Sequence, residues 1–529
     1  LIVDKDDQLY VLGTTASANF PVTKLAYDTV FHGGPNAGPL DGIAVAYYSG
    51  SDIVISKFSA DGRQLLASTF LGDSANDGLN YNNPFASLSP ALTRHNYADE
   101  VRGEIDFAPD GNIVIASTTR SKNYPKTDSL TLASPNGDAD ACVSKLTPNL
   151  DSLIWSIKFG GSGDDAAYSV AFGLDSSIYV VGGTASTDFP VPGLGLQKTY
   201  GGGLTDGWIY HINSDANVVY SSSLEGFNAY DQIYFVETNR KGEVFVLGQA
   251  DNSQTNFIQN ATYNKPNGGQ FITKFKTDLS GWIWSTSFGR GTGVSDISPT
   301  AFLVDLCNSI YVSGWGSPSV NAEAGWPSNV HGTSGLDVTP GCYQSTTDNN
   351  DFYLMIMRDD ASGLQYATYI GGINEVDHVD GGTSRFDKKG VVYQSVCASC
   401  GASSRFPTYP ANCVSPTNRS NNCNNLLFKF DLDIPLTIAD FSVPKGCNLN
   451  QLPFTNLSKR VSANANYYWD FGDGSTSSSA NPTHTYTNTG TYIVRLKLVD
   501  SSSCNISDST QQTITIQQAQ STVLPDATI

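Results

Sequence analysis

From Asp175 the chain reads DSSIYVVGGTASTDFPV: a polar turn, a run of β-branched and aromatic residues, two glycines and a proline-marked exit. The pattern returns as QLYVLGTT at Gln8, NIVIASTT at Asn112, SIYVVGGT at Ser177, EVFVLGQA at Glu243, SIYVSGWG at Ser309 and, more weakly, GVVYQSVC at Gly390. The positions matching Gly182 are Gly13, Ser117, Gly248, Gly314 and Ser395, with spacings of 104, 65, 66, 66 and 81 residues in chain order. Three more apolar runs keep a constant order around the phrase. A short one precedes it (YSVAFGL from Tyr168). Two follow it, such as DIVISKF at Asp52, DACVSKL at Asp140 or DGWIYHI at Asp206, then LIWSIKFGG at Leu153 or WIWSTSFG at Trp282. Runs of this length alternate like strands. Four antiparallel strands per unit, repeated radially, predict an all-β chain built as a β-propeller, since β-helices and leucine-rich arrays need much shorter periods.

The sixth unit shows three of its strands but no clear fourth, and Leu1 falls inside a repeat. A segment upstream of Leu1 is therefore expected to complete the ring, with PLTIADF at Pro435 as the substitute, and six blades are expected rather than seven. The propeller is assigned to residues 1–433.

DGNIVIAST, the TDFPV exit and DACVSKLTPNLDSLIWSIKFGGSGDDAAYSVAF resemble the bacterial repeats named for seven-bladed β-propellers, abundant in surface proteins of the Bacteroidota. The resemblance covers about residues 1–432 and speaks to architecture more than to activity. After Ile434 the repeats stop. YYWDFGDG at Tyr467, followed by PTHTYTNTGTYIVRLKL at Pro482, is similar to the PKD domain, an immunoglobulin-like β-sandwich, here residues 434–516. The resemblance implies that Trp469 is core, that Asp470 and Gly472 to Gly474 shape a turn, and that Tyr486, Gly490 and Tyr492 brace the opposite sheet. It further implies a spacer or adhesive role, with type IX secretion and outer-membrane secretion components as a route. Residues 517–529 read as a linker to a downstream module.

Turn lengths break the symmetry of the ring. Strands one and two, and three and four, are joined by tight turns such as APDG at Ala108 and SADGR at Ser59, whereas the other two connections are long and emerge on the opposite face. Scaffolds carry function on such loops, so Tyr81, Phe85, Trp326, Tyr409 and His378 are the candidate binding residues. Before strand one of successive units lie Glu100, Asp165, Asp231, Asp296 and Asp377. Clustered carboxylates suit a hard cation such as Ca²⁺, but a repeat-wide residue is more often architectural, accepting backbone N–H bonds that tie one blade to the next.

Composition narrows the partners. Asp and Glu number 50 against 30 Lys and Arg, a net charge of −20 that repels phosphate backbones and excludes nucleic acid as partner. No apolar run reaches the ~18 residues a membrane helix needs. The nine cysteines suggest an oxidising, extracellular or cell-surface setting. Cys397, Cys400, Cys413 and Cys423 are expected to staple one loop, in any of three pairings, without a zinc-type histidine pattern; Cys307 with Cys342 and Cys447 with Cys504 are the other expected bridges. Six histidines and the absence of HExxH, GxSxG or a phosphate loop argue against an enzyme. The best local cluster, NEVDHVD with Glu375, Asp377, His378 and Asp380, reads as a polar loop. The expected function is a non-catalytic binding or adhesion module for a glycan or protein. The alternatives are a structural subunit of a surface assembly that contacts its own copies, and a polysaccharide-acting enzyme with its site at the propeller mouth near His378.

Overall fold

The computed structural model describes residues 1–37, 46–81, 93–96, 99–127, 138–227, 229–318, 332–379, 385–387, 391–410, 412–431, 436–443 and 451–516. Phe85, Trp326, Asp380, Cys447 and the 517–529 linker lie outside them. The chain forms two compact units, one from most of residues 1–430 and one from residue 431 onward.

The first unit is a succession of sheets in chain order. The first sheet takes Ile2–Val3 (β1), Leu9–Thr15 (β2), Asp52–Phe58 (β3) and Leu65–Leu71 (β4). The second takes Glu104–Phe107 (β5), Ile113–Thr119 (β6), Asp140–Leu146 (β7) and Leu153–Phe159 (β8). The third takes Asp165–Phe172 (β9), Ile178–Thr184 (β10), Gly203–Ile212 (β11) and Val219–Glu225 (β12). The fourth takes Ala229–Thr238 (β13), Val244–Ala250 (β14), Gln270–Phe275 (β15) and Trp282–Phe288 (β16). The fifth takes Ser298–Val304 (β17), Ile310–Trp315 (β18), Phe352–Met357 (β19) and Leu364–Ile370 (β20). Among the described residues the sixth has three strands, Arg385–Asp387 (β21), Val391–Ala398 (β22) and Asn424–Asp431 (β23). Pairing within sheets is antiparallel between neighbours in sequence, as in Val180 opposite Tyr210 and Val170. A 3₁₀ turn spans Asp99–Val101.

The sheets are too small to bury both faces alone, so they pack on each other. Along β10 the alternation shows it: Ile178 and Val180 join a core with Val114, Val143 and Trp155 of the second sheet, whereas Tyr179 and Val181 join Val246 and Phe271 of the fourth. The same sharing links the first sheet to the second and the fourth to the fifth. With both faces buried the strands read as continuous apolar runs. The six sheets meet at an axial cavity of about 340 Å³ lined by Leu1, Thr14, Glu104, Tyr168, Phe235, Thr300, Trp315 and Ser395, contributed by every one of them. This is a six-bladed propeller. The phrase at Ser177 repeats because it is the second strand of each blade.

The glycine in that phrase has a steric cause. The first strand of the blade carries a β-bulge opposite it, at Val181/Gly182 in the third blade. A Cβ on Gly182 would lie 1.8 Å from the Ala166 carbonyl oxygen, and one on Gly248 2.4 Å from that of Gln232. The residue skipped by each bulge is Tyr168, Tyr234 or Thr300.

The second unit is a sandwich. One sheet orders Thr476–Ser477 (β28), Asn466–Asp470 (β27), Gly490–Val499 (β30) and Ser507–Ile516 (β31); short pairs join Phe441–Ser442 (β24) to Thr455–Asn456 (β26) and Leu452–Pro453 (β25) to Thr483–His484 (β29). Trp469 is 1% exposed and packs edge-on against Phe441, their ring centroids 5.0 Å apart, as expected of a core residue. Gly472 and Gly474 adopt positive φ in the turn after β27, where the Asp470 carboxylate accepts the Gly472 N–H. PLTIADF does not complete the ring. Ile438 bridges Lys459 and Phe441 pairs with Asn456, so its hydrogen bonds are spent inside the sandwich.

Candidate functional site: the propeller mouth

A bulge re-aims the side chain it skips. In the third and fourth blades this turns Tyr168 and Tyr234 inward, where their rings stack in parallel with centroids 5.2 Å apart. Both hydroxyls meet the insertion between the first and second blades. Tyr168 Oη donates to the Thr93 carbonyl (2.6 Å), which also accepts Gln232 Nε2 (2.8 Å), and Tyr234 Oη donates to Asp99 Oδ2 (3.1 Å). Asn96 Nδ2 donates to Gln249 Oε1 (2.8 Å), the His95 ring stacks on Tyr230 at 3.9 Å, and Arg102 Nη2 donates to the Pro299 carbonyl (3.2 Å). Arg102 also pairs with Asp99 (2.8 Å) and lies over the Tyr234 ring. Thr93 to Asn96 and Asp99 to Arg102 therefore reach the third, fourth and fifth blades and lie in the mouth on the long-loop side. The plug is polar yet buried: Thr93, Asn96, Asp99 and Glu100 are each at most 1% exposed.

The predicted carboxylates divide. Asp165 Oδ2 accepts the Gly161 N–H (2.7 Å) and the Ser186 hydroxyl (2.8 Å), Asp231 accepts Phe227 N–H (2.7 Å), Asp296 takes Arg290 N–H and Nε (2.6 Å each), and Asp377 accepts Gly372 and Ser399 N–H (3.0 Å each). Glu100 is a correction. It pairs with Arg94 in the plug at 3.7 Å, and the position equivalent to Asp165 is held by Asp77, which accepts the Asp73 N–H and the Thr119 and Ser121 hydroxyls. The long insertion after Asp77 separates it from β5 and displaces the alignment. A second carboxylate, unremarked by sequence reasoning, lies near the start of the third strand of most blades: Asp52, Asp140, Asp206 and Asp351. In the first and second blades the glycine closing the fourth strand, Gly72 or Gly160, lies between the two. A Cβ on Gly160 would be 2.5 Å from oxygens of both Asp140 and Asp165. The shared Asp heading DIVISKF, DACVSKL and DFYLMIM was the available signal. Burial raises the Asp165 carboxyl to about 8 and those of Asp77, Asp206 and Asp377 to about 7. Their chemistry is to hold loop N–H groups and hydroxyls where one blade meets the next.

The proposed binding aromatics separate as well. Tyr81 is 4% exposed, packed with Ala37, Tyr47 and Leu79 and under the Arg94 guanidinium, so it is an interior residue of the insertion and not a surface contact. Tyr409 is 92% exposed, beside a cis Tyr409–Pro410 bond. Phe85 and Trp326 lie outside the described residues. In NEVDHVD, Glu375 accepts the Ser399 hydroxyl and the Arg405 N–H, while His378 is 8% exposed and its backbone N–H and C=O pair with those of Cys397.

Cys400 is bonded to Cys423, which closes the loop carrying Tyr409. Cys397 and Cys413 take no part in a bridge with each other. The expected Cys307–Cys342 bond is not formed either. Cys307 sits in the turn between β17 and β18, whereas Thr339 and Gln344 pair with β20, carrying Cys342 along the far edge of the blade. Two or more strand spacings of ~4.8 Å exceed the ~7 Å Cα separation a disulfide tolerates. Cys504 is an exposed thiol and its expected partner Cys447 lies outside the described residues.

Residues 443–516 match the family model of the PKD domain. The comparison with curated proteins finds no match. Among solved structures, the PKD1 domain of the Vibrio cholerae metalloprotease PrtV is 34% identical, with 16% of this chain and 99% of that one covered and a TM-score of 0.14. The PKD1 domain of Vibrio anguillarum Epp is 24% identical over 16% and 100%, also with a TM-score of 0.14. A protein of unknown function from Dyadobacter fermentans DSM 18053 is 11% identical over 78% and 98%, with a TM-score of 0.30. The C-terminal sandwich is thus a PKD domain, carried behind an all-β array. None of the described helical segments is long and apolar enough to cross a membrane.

Proposed function

We propose that the chain is an extracellular, non-catalytic binding or adhesion module whose propeller presents loops to a surface glycan or protein, with the PKD domain as spacer. The observation that carries the reading is the stapled loop from Cys400 to Cys423, which presents Tyr409 at 92% exposure on the sixth blade. An aromatic displayed in this way supplies contact area at low entropic cost. The mouth, where a propeller enzyme would place its site, is occupied by Thr93 to Asn96 and Asp99 to Arg102, and the carboxylates near His378 are committed to backbone and hydroxyl donors. Outer loops remain for recognition.

The test is binding of the full chain to a glycan array and to an array of extracellular proteins, repeated with Tyr409→Ala. The reading expects a specific hit that weakens at least about tenfold in the variant, as for an aromatic hot spot. Turnover of a polysaccharide by the chain, or a hit indifferent to Tyr409, would overturn it.

A further inference from the structure

The CxxC of the sixth blade has a histidine partner that its spacing does not announce. His378 and Cys397 face each other in an antiparallel bridge, the N–H of each donating to the carbonyl of the other (3.0 and 2.9 Å). Residues paired across such a bridge put their side chains on one face. The next turn brings Cys400 over the same face: Ser399 adopts positive φ, and its N–H is held by Asp377 Oδ1 at 3.0 Å. As a result the ring nitrogen of His378 and the sulfurs of Cys397 and Cys400 all lie within 4.8 Å of one another. Cys423 is the disulfide partner of Cys400, so a fourth ligand atom is directly beside the third. The loop carrying it is also tied down independently of the bond, since Asn418 Nδ2 donates to the Ser399 and Asn422 carbonyls at 3.1 and 2.8 Å.

We infer that His378, Cys397, Cys400 and Cys423 form a soft-metal site of the Cys₃His type that alternates with the Cys400–Cys423 disulfide. Tetrahedral zinc takes thiolates at ~2.3 Å and imidazole at ~2.0 Å, so its ligand atoms stand slightly under 4 Å apart, within a small adjustment of the present arrangement. The disulfide blocks the site because its sulfurs carry no thiolate charge. A dithiol reductant opens it: two electrons and two protons convert Cys400–S–S–Cys423 to two thiols while the reductant closes to its own cyclic disulfide. Zn²⁺ then displaces the protons of three thiols and accepts the lone pair of a neutral His378 ring. Reoxidation by a disulfide donor reforms the bridge and expels the ion. His378 is thereby given a role other than the surface binding expected of it. The Trp315 ring, centred 5.6 Å from the His378 ring, supplies an apolar wall.

The experiment titrates Co²⁺ and Zn²⁺ into the full chain under anaerobic conditions, once with the disulfide intact and once after reduction and removal of the reductant. The reduced protein is expected to bind one equivalent of Co²⁺ with the thiolate charge-transfer bands and intense visible bands of a tetrahedral sulfur site, and the oxidised protein none. His378→Ala and Cys397→Ser should each weaken the site at least about tenfold, while Cys413→Ser, Cys342→Ser and Cys504→Ser leave it intact. Far-ultraviolet dichroism without metal shows whether each variant folds, and the comparison of oxidised with reduced wild type needs no variant. Equal uptake by the two redox states would overturn the inference. So would uptake by the reduced chain that survives Cys397→Ser.

Discussion

Removing one oxygen atom tests the plug. In Tyr168→Phe the ring, fully buried between Tyr234 and the plug, keeps its shape and its stacking. What disappears is a hydroxyl that donates to the Thr93 carbonyl at 2.6 Å, lies 2.9 Å from Gln232 Oε1 and accepts Asn80 Nδ2 at 3.3 Å. The Thr93 carbonyl retains Gln232 Nε2, so it is not stranded, whereas the Asn80 amide loses an acceptor in a buried environment. Leaving a buried donor unsatisfied costs about 1–3 kcal/mol. The cost falls on the seating of Thr93 to Asn96 and Asp99 to Arg102 and not on the blades, whose ladders are untouched. Opening of the segment should therefore become about 5- to 150-fold more frequent. Hydrogen–deuterium exchange followed by mass spectrometry reads this directly: amides around Asn96 and Asp99 exchange faster in the variant, and those of β10 and β14 do not. Unchanged exchange at the plug, or uniform acceleration through every blade, would refute the assignment of Tyr168 as the anchor of this segment.

Three further outcomes follow from the same geometry. Gly182→Ala should cost several kcal/mol, because overpacking against the Ala166 carbonyl has no rotamer to relieve it, whereas Gly363→Ala, whose Cβ meets nothing within 4 Å, should be neutral or slightly stabilising; chemical denaturation compares them. The carboxyls raised by burial bind protons in the folded chain that they release on unfolding, so stability is full below about pH 4 and falls as pH rises towards 8, by up to about 1.4 kcal/mol per pH unit for each group. Melting temperatures measured from pH 4.5 to 8 should decline for the propeller transition, and a steady rise would contradict the assignment. Asp165→Asn should flatten part of that decline, since the group with the value of about 8 no longer titrates.

Much of the fold was legible because a blade imposes its demands locally. The apolar runs around Val180, the glycine at 182 and the tight turns are fixed by strand pairing within about 60 residues, and they recur, so each copy corroborates the others. The WDFGDG turn around Trp469 is equally local. The plug was illegible for the opposite reason. Its bonds join Thr93, Asn96 and Asp99 to residues 75 to 153 positions away, through side chains that occur only once each in that arrangement. The displacement of Glu100 by Asp77 has the same origin, since an insertion of irregular chain carries no period by which to count. Tyr81 looked like a surface aromatic because a loop was expected to be exposed, but it packs with Leu79 and with Ala37 and Tyr47 of the connection between β2 and β3. The pairing of His378 with Cys397 crosses from one connection to the second strand of the sixth blade, so the C-x-x-C spacing alone could not name its histidine.

The central claim is that a segment of the chain, Thr93 to Asn96 with Asp99 to Arg102, seats in the propeller mouth. A double-mutant cycle between Asn96→Ala and Gln249→Ala addresses it most directly, because these residues are 153 positions apart in sequence and meet at 2.8 Å only if the plug is seated on the fourth blade. The account predicts a coupling free energy of about 0.5–3 kcal/mol in denaturant unfolding. Strict additivity of the two substitutions would mean that the segment does not rest there, and that the mouth is open.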